Sequence, residues 1–247
     1  MKYVIIGDLH LRCNWKQIIQ EENTDKFIFL GDYLSPHGFR PSKLETVESF
    51  MNEVLEFKES NPEKVILLRG NHDLNDCGYY WADCFPNDYW SRKYLSSIKD
   101  RFLKDSQWIY KIPDTNIVCS HAGIGQYFLE QCMNKLGIED YNLSIIERIN
   151  ELEPSEIFGF NSETIFDATG TSETQPCTWI RPYTLLNHGV KDIIQIVGHT
   201  PVVKDIVCLD DCIWLCDSLD LGKYLVIDNN KFVIKTLWTN VKDTTTS

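Results

Sequence analysis

Five short segments place a metal-binding side chain directly after an apolar, strand-like run: Asp8-Leu9-His10, Gly31-Asp32, Gly70-Asn71-His72-Asp73, Ser120-His121-Ala122-Gly123 and Gly198-His199-Thr200-Pro201. Carboxylate, carboxamide and imidazole donors in this combination suit a pair of divalent ions, with at least one group reaching both. Such ions sit roughly 3.5–4 Å apart and let a shared water lose a proton near neutral pH. Asp8 and His10, two residues apart on an extended segment, are expected to face one ion from the same side. Asp32, from the neighbouring strand, is expected to bridge, and Asn71, His121 and His199 to complete the second ion. The neutral Asn71 keeps negative charge low where a phosphate must enter. The chemistry to expect is hydrolysis of a phosphoester.

The elements that must position these groups are legible around them. Lys2–Ile6, residues 27–30 and Val65–Leu68 read as buried strands, each ending at one of the segments. Between them lie a short helix at 14–21, expected to be capped by Asn14, and a long amphipathic helix opened by Ser42. In that second helix Leu44, Val47, Phe50, Met51, Val54, Leu55 and Phe57 follow a 3.6-residue period. Strand–helix alternation implies a parallel sheet covered on both faces, with ligands at the carboxyl ends of its strands. Residues 108–112 and 116–119 read as a hairpin leading to His121, and Gln126–Leu136 and 143–152 as helices. Residues 159–176 are polar and irregular, an expected excursion over the site. Strands resume at 193–197, 204–209, 212–216, 224–227 and 232–237. Turns at Asp210-Asp211 and Asn229-Asn230 predict an antiparallel second sheet.

The chain has 247 residues, 43% of them hydrophobic, and no linker, which favours one domain over residues 1–243 with a partly helical excursion at 125–176. A net charge of −12 excludes an extensive nucleic-acid surface, since phosphate backbones demand clustered Lys and Arg. No apolar run approaches membrane-spanning length. Nine cysteines without an export signal predict reduced thiols in a cytoplasmic protein. Cys208, Cys212 and Cys216 recur every four residues on strands around a turn and are expected to be core thiols. A monomer is favoured.

The ordered set Asp8/His10, Asp32, Asn71, His121 and His199 resembles the calcineurin-like metallophosphoesterase superfamily, from residue 4 to residue 228. The resemblance implies an α/β fold, a four-layer α/β-β-α sandwich of two mixed sheets flanked by helices, with both metals at strand ends. Leu68-Arg69-Gly70-Asn71-His72-Asp73 and Gly198-His199-Thr200-Pro201 are similar to blocks of the branch containing Ser/Thr protein phosphatases and diadenosine-tetraphosphate hydrolases. Pro201 stands where nucleases and cyclic-nucleotide phosphodiesterases usually carry a second histidine. Trp179-Ile180-Arg181-Pro182 resembles the segment that delivers a phosphate-binding arginine.

Gly31-Asp32-Tyr33-Leu34-Ser35-Pro36-His37-Gly38 departs from that branch. Ser35 replaces the aspartate that orients the catalytic histidine, and Pro36 replaces a phosphate-binding arginine; the form is similar to small bacterial and phage members. On this reading His72 donates a proton to the leaving oxygen, and Arg69 and Arg181 clamp the phosphoryl group. Arg40 is a stand-in for the arginine missing at Pro36. Ser35, Asp73 or another acid is expected to hold the His72 ring, and Asp217 to stand behind the site. His37 and His188 read as loop histidines, and Tyr79, Tyr80, Trp81, Tyr89 and Trp90 as loop packing or a substrate groove.

The leading function is therefore a phosphatase using two divalent ions, manganese first and Fe, Zn, Ni or Co as alternatives, on phosphorylated substrates including phosphoproteins. Hydrolysis of dinucleoside polyphosphates or other nucleotide esters is the alternative. A catalytically silent scaffold is the third reading, opposed by the filled ligand positions.

Overall fold

In the computed structural model, residues 1–36, 43–79, 89–159, 167 and 169–237 are described. The expectations for His37, Arg40, Ser42, Tyr80 and Trp81 lie outside these residues, as do residues 160–166 and 168 of the irregular stretch at 159–176. The strands are β1 (Lys2–Ile6), β2 (Lys26–Phe29), β3 (Val65–Leu68), β4 (Ser106–Gln107), β5 (Ile109–Lys111), β6 (Ile117–Ser120), β7 (Ile194–Pro201), β8 (Val207–Leu209), β9 (Ile213–Asp217), β10 (Lys223–Asp228) and β11 (Lys231–Thr236). The helices are α1 (Trp15–Glu21), α2 (Leu44–Ser60), α3 (Asn71–Asp76), α4 (Tyr89–Ser97), α5 (Lys99–Asp105), α6 (Gln126–Leu136), α7 (Ile145–Arg148), α8 (Pro154–Gly159) and α9 (Pro182–His188).

The first sheet has the order β11-β10-β1-β2-β3-β4, with β1 to β4 parallel and β10 and β11 added antiparallel. The second has the order β5-β6-β7-β9-β8. Its centre, β6-β7-β9, is parallel, and only its two edges are antiparallel. This corrects the expectation of an antiparallel second sheet. All three predicted hairpins form, but the one turning at Asn229-Asn230 extends the first sheet beside β1.

Alternation of side chains across each strand separates three apolar layers. Val4, Ile6, Phe27, Phe29, Val65 and Leu67 face outward against α1, α2, α4 and α5. Ile5, Ile28, Leu30 and Leu68 face the other way and meet Cys119, Ile196 and Cys216 of the second sheet. Val118 packs outward under α6 and α7, while Val197 and Leu215 pack under Leu185 of α9. The result is the helix–sheet–sheet–helix order implied by the resemblance. Trp214 of β9 also stacks flat on Phe232 of β11, rings 4.8 Å apart, stitching the two sheets at one edge.

Two local expectations need correction. Asn14 precedes α1 but makes no capping bond; its Nδ2 donates to the Leu219 carbonyl at 2.8 Å, tying α1 to the loop after β9. Of the three regularly spaced cysteines, Cys216 is buried, whereas Cys208 and Cys212 are half-buried. No helix among the described residues is long and apolar enough to cross a membrane.

Candidate metal centre

The strand ends of both sheets meet along one seam, and the expected ligands gather there. From the first sheet come Asp8 and His10 after β1, Asp32 after β2 and Asn71 at the start of α3. From the second come His121 after β6 and His199 within β7. Backbone bonds lock the loops together. The N–H groups of Leu9 and His10 both donate to the Asp32 carbonyl, at 3.1 and 2.8 Å, and the Gly198 N–H donates to the His121 carbonyl. The His199 N–H reaches across the seam to both Asp8 carboxylate oxygens, at 3.0 and 3.1 Å. Glycine is required at two points by crowding: a Cβ on Gly70 would strike the Asp32 carboxylate, and one on Gly198 the Asp8 carboxylate.

His10, Asp32 and His199 adopt left-handed backbone, with φ of 43°, 52° and 62°. Non-glycine residues take this conformation at a cost, usually where surrounding structure enforces it. For His10 this revises the expectation of an extended Asp8-Leu9-His10 segment. Its ring joins Asp8 because the chain turns, not because alternate residues share a strand face.

Two buried sets of donor atoms result, Asp8/His10/Asp32 and Asp32/His121/His199, each with its atoms within 4.8 Å of one another. Asp32 Oδ2 is the shared atom, 3.8 Å from His10 Nε2 and 3.4 Å from His121 Nε2. Its Oδ1 is pinned by the His72 N–H at 2.9 Å. Tautomers are fixed from behind. His10 Nδ1 donates to the Ser35 carbonyl and His121 Nδ1 to the Leu30 carbonyl, both at 2.7 Å, so each Nε2 is turned to the cluster. Asn71 Oδ1 lies 2.8 Å from His121 Nε2. Among the described residues, His199 Nε2 is buried without a hydrogen-bond partner. An orphaned imidazole nitrogen beside crowded carboxylates is costly unless a cation takes its lone pair. The donor set thus fits divalent ions.

The electrostatics agree. Burial and the neighbouring Asp217 raise the Asp8 carboxyl well above the ordinary range. Burial would also raise Asp32, but His121, His72 and His10 outweigh it and hold its carboxyl well below that range. Burial opposes a charge on His121, yet Asp32 and Asp8 raise its pKa to about 10. The His121 proton therefore does part of a cation's work in the metal-free cluster. His199 is driven well below the usual imidazole value by burial, then by His121 and Arg181.

A sequence profile of the calcineurin-like phosphoesterase family matches residues 1–234. The chain belongs to that family. The phosphoesterase is thus a metal-dependent hydrolase of phosphoester bonds. Among solved structures it is similar to a cold-active protein-tyrosine phosphatase of a psychrophilic Shewanella species, at 18% identity and TM-score 0.57, covering 94% of this chain and 77% of that one. It is also similar to a protein serine/threonine phosphatase from Saccharomyces cerevisiae, at 13% identity and TM-score 0.54, covering 95% and 79%. These likenesses concern the fold. No curated protein sequence matches significantly.

The remaining expected residues of the phosphoesterase divide. Arg181 lies beside the centre, with Nη1 3.2 Å from both the His199 carbonyl and Thr200 Oγ1. Burial lowers its pKa while Asp32, Asp8 and Asp217 oppose that shift. Arg69 is differently engaged: it lies over the Trp108 ring and donates to Ser106 Oγ, the Ser106 carbonyl and the Leu103 carbonyl. It braces β3 against β4. The Asp73 carboxylate accepts the N–H groups of Gly70, Asp32 and Tyr33, at 2.8, 2.8 and 2.9 Å. Asp217 is buried at the end of β9, with no partner for Oδ2 among the described residues, and burial raises it to about 6 against the opposing charge of Arg12. His188 is a surface residue 2.8 Å from a Glu173 carboxylate.

Sequence reading missed Trp179, whose ring lies 5.3 Å from that of His199, and Asp76 and Ser91, which bond Ser35. In the sequence Trp179 stands out only as the first residue of the arginine segment, and no pattern marks the other two.

Two outcomes follow from this geometry. Asp73→Asn puts an amide N–H₂ where donors already converge, leaving at least one buried N–H unmatched at a cost of about 1–3 kcal/mol. A lower urea midpoint, with Mn²⁺ lost more easily on dialysis, is expected. A divalent ion must also displace the His121 proton, which is held at neutral pH because its pKa is raised. Affinity for Mn²⁺ by calorimetry should therefore rise from pH 6 to pH 8, with protons released to the buffer. An affinity independent of pH contradicts the exchange.

Proposed function

We propose that this phosphoesterase is a manganese-dependent phosphatase of phosphomonoesters, phosphoproteins among them. Asp8, His10 and Asp32 would hold one ion, and Asp32, Asn71, His121 and His199 the other. The observation that carries this reading is Asp32 Oδ2 lying between two buried donor sets, one of which contains the orphaned His199 Nε2. Bound ions of this kind neutralise phosphate charge and acidify water towards neutral pH. Manganese fits the mixed carboxylate, amide and imidazole donors, as do Fe, Zn, Ni and Co, and availability selects among them. The eight described cysteines are free thiols, which supports a reducing, cytoplasmic setting.

The protein's own groups take the other parts. Arg181 presents a planar fork to two phosphoryl oxygens, its direction set by the His199 carbonyl and Thr200. His72 gives a proton to the leaving oxygen. Its ring stands edge-on to that of His10, centroids 5.4 Å apart. Burial lowers its pKa, partly offset by Asp32, so the fraction able to donate a proton shrinks as pH rises.

Metal-free protein reloaded with Mn²⁺ and assayed against a phosphomonoester, a phosphodiester and dinucleoside polyphosphates should turn over the monoester best. Preference for the dinucleotides would transfer the reading to nucleotide chemistry, and absence of hydrolysis with every metal would end it. His72→Asn should slow aryl phosphates with poor leaving groups about 10²–10⁴-fold and those with good ones much less. An equal loss on both removes the proton-donor role.

A further inference from the structure

Ser35 stands where an aspartate was expected, yet its environment is built rather than vacant. Its backbone is left-handed, φ 33°, which is unusual for a residue with a side chain. That turn aims the Ser35 carbonyl at His10 Nδ1, 2.7 Å away. Two elements grip the residue from the other side. The Ser35 N–H donates to Ser91 Oγ of α4 at 3.1 Å, and Ser35 Oγ donates to Asp76 Oδ2 of α3 at 2.8 Å. Ser35, Asp76 and Ser91 are all buried, Asp76 only 1% exposed.

A carbonyl can only accept, so this bond places the His10 proton on Nδ1 and the lone pair on Nε2. Nε2 in turn lies 3.9 Å from Asp8 Oδ2 and 3.8 Å from Asp32 Oδ2. The chain of contacts runs from the Asp76 carboxylate through the Ser35 hydroxyl and the Ser35 carbonyl to the His10 ring, whose Nε2 would be left to hold an ion. We propose that Asp76 is a positioning residue of the metal centre: through Ser35 it fixes the carbonyl that sets the tautomer and aim of His10. The Ser35–Asp76 pair thereby serves the metal-binding histidine. A serine is wanted at this position because its hydroxyl can be tethered while its carbonyl does the orienting. Helix α3 then serves both ions, with Asn71 at its first residue on the His121/His199 side and Asp76 at its last on the Asp8/His10 side.

This rests on the two-metal reading, which the wild-type protein tests by itself: titration with Mn²⁺ must give two ions per chain, and fewer means that reading fails whatever the variants do. With two ions in the wild type, Asp76→Ala and Ser35→Ala should each weaken one ion about 10- to 100-fold, the usual effect of removing a group that orients a ligand. The other ion should be held normally, and the visible spectrum of the Co²⁺-loaded protein should change. Asp76→Asn keeps an oxygen to accept from Ser35 Oγ and should restore affinity to within about threefold of wild type. The double variant Ser35→Ala/Asp76→Ala should be no worse than the weaker single one, because both break the same bond. Circular dichroism and thermal unfolding of every variant identify any that misfold, and Ser35→Ala, the mildest change, then carries the decision. Wild-type affinity for both ions in Ser35→Ala overturns the proposal, as does Asp76→Asn behaving like Asp76→Ala, or additive losses in the double variant.

Discussion

Negative charge packed into a dry seam governs this molecule. Asp8, Asp32, Asp73 and Asp217 are all buried around the same strand ends, where like-charged carboxylates raise one another's energy. Each is tolerated for a different reason. Asp73 is neutralised by backbone N–H groups, Asp32 by imidazoles, Asp8 by the His199 N–H, and Asp217 is moderated by Arg12. What those partners leave uncompensated is a demand for cations, and that demand sets the seam apart from an ordinary core.

The backbone around the seam is shaped by the same demand. Side chains this crowded cannot all leave regular strands, so the chain bends into left-handed conformations at His10, Asp32, Ser35 and His199. Each bend turns a carbonyl or an N–H towards a neighbouring loop, and those bonds offset the strain. Glycine appears where even a methyl group has no room, at Gly70 and Gly198. The crossed bonds between Leu9, His10 and Asp32, and between His199 and Asp8, make the loops one body.

Much of this was legible before any coordinates. The candidate donors were visible because each follows an apolar run that can only be a buried strand, and Asp8, His10, Asp32, His121 and His199 converge as that logic requires. The first three strands and α2 were legible for the same reason: period and polarity agreed. What failed was whatever depends on partners distant in sequence. Asn14 had the composition of a cap, but Leu219 competes for its side chain. The contacts of Arg69 with Trp108 and Ser106 were equally invisible. The last hairpin gave a correct turn and the wrong sheet, since short-range signals say nothing about which edge a ribbon joins. Asp76 and Ser91 gave no signal, because a carboxylate and a hydroxyl inside helical sequence look like solvent-facing residues.

The seam unites donors from β1 through β7, so its components are spread from residue 8 to residue 199. A ribosome releases them in that order. Asp8, His10, Asp32 and Asn71 emerge on a parallel sheet that lacks its second layer, and His199, which grips Asp8 through its backbone, arrives after most of the chain. The complete pair of donor sets cannot exist during most of synthesis. The pair of donor sets is therefore complete only once the second sheet has docked on the first.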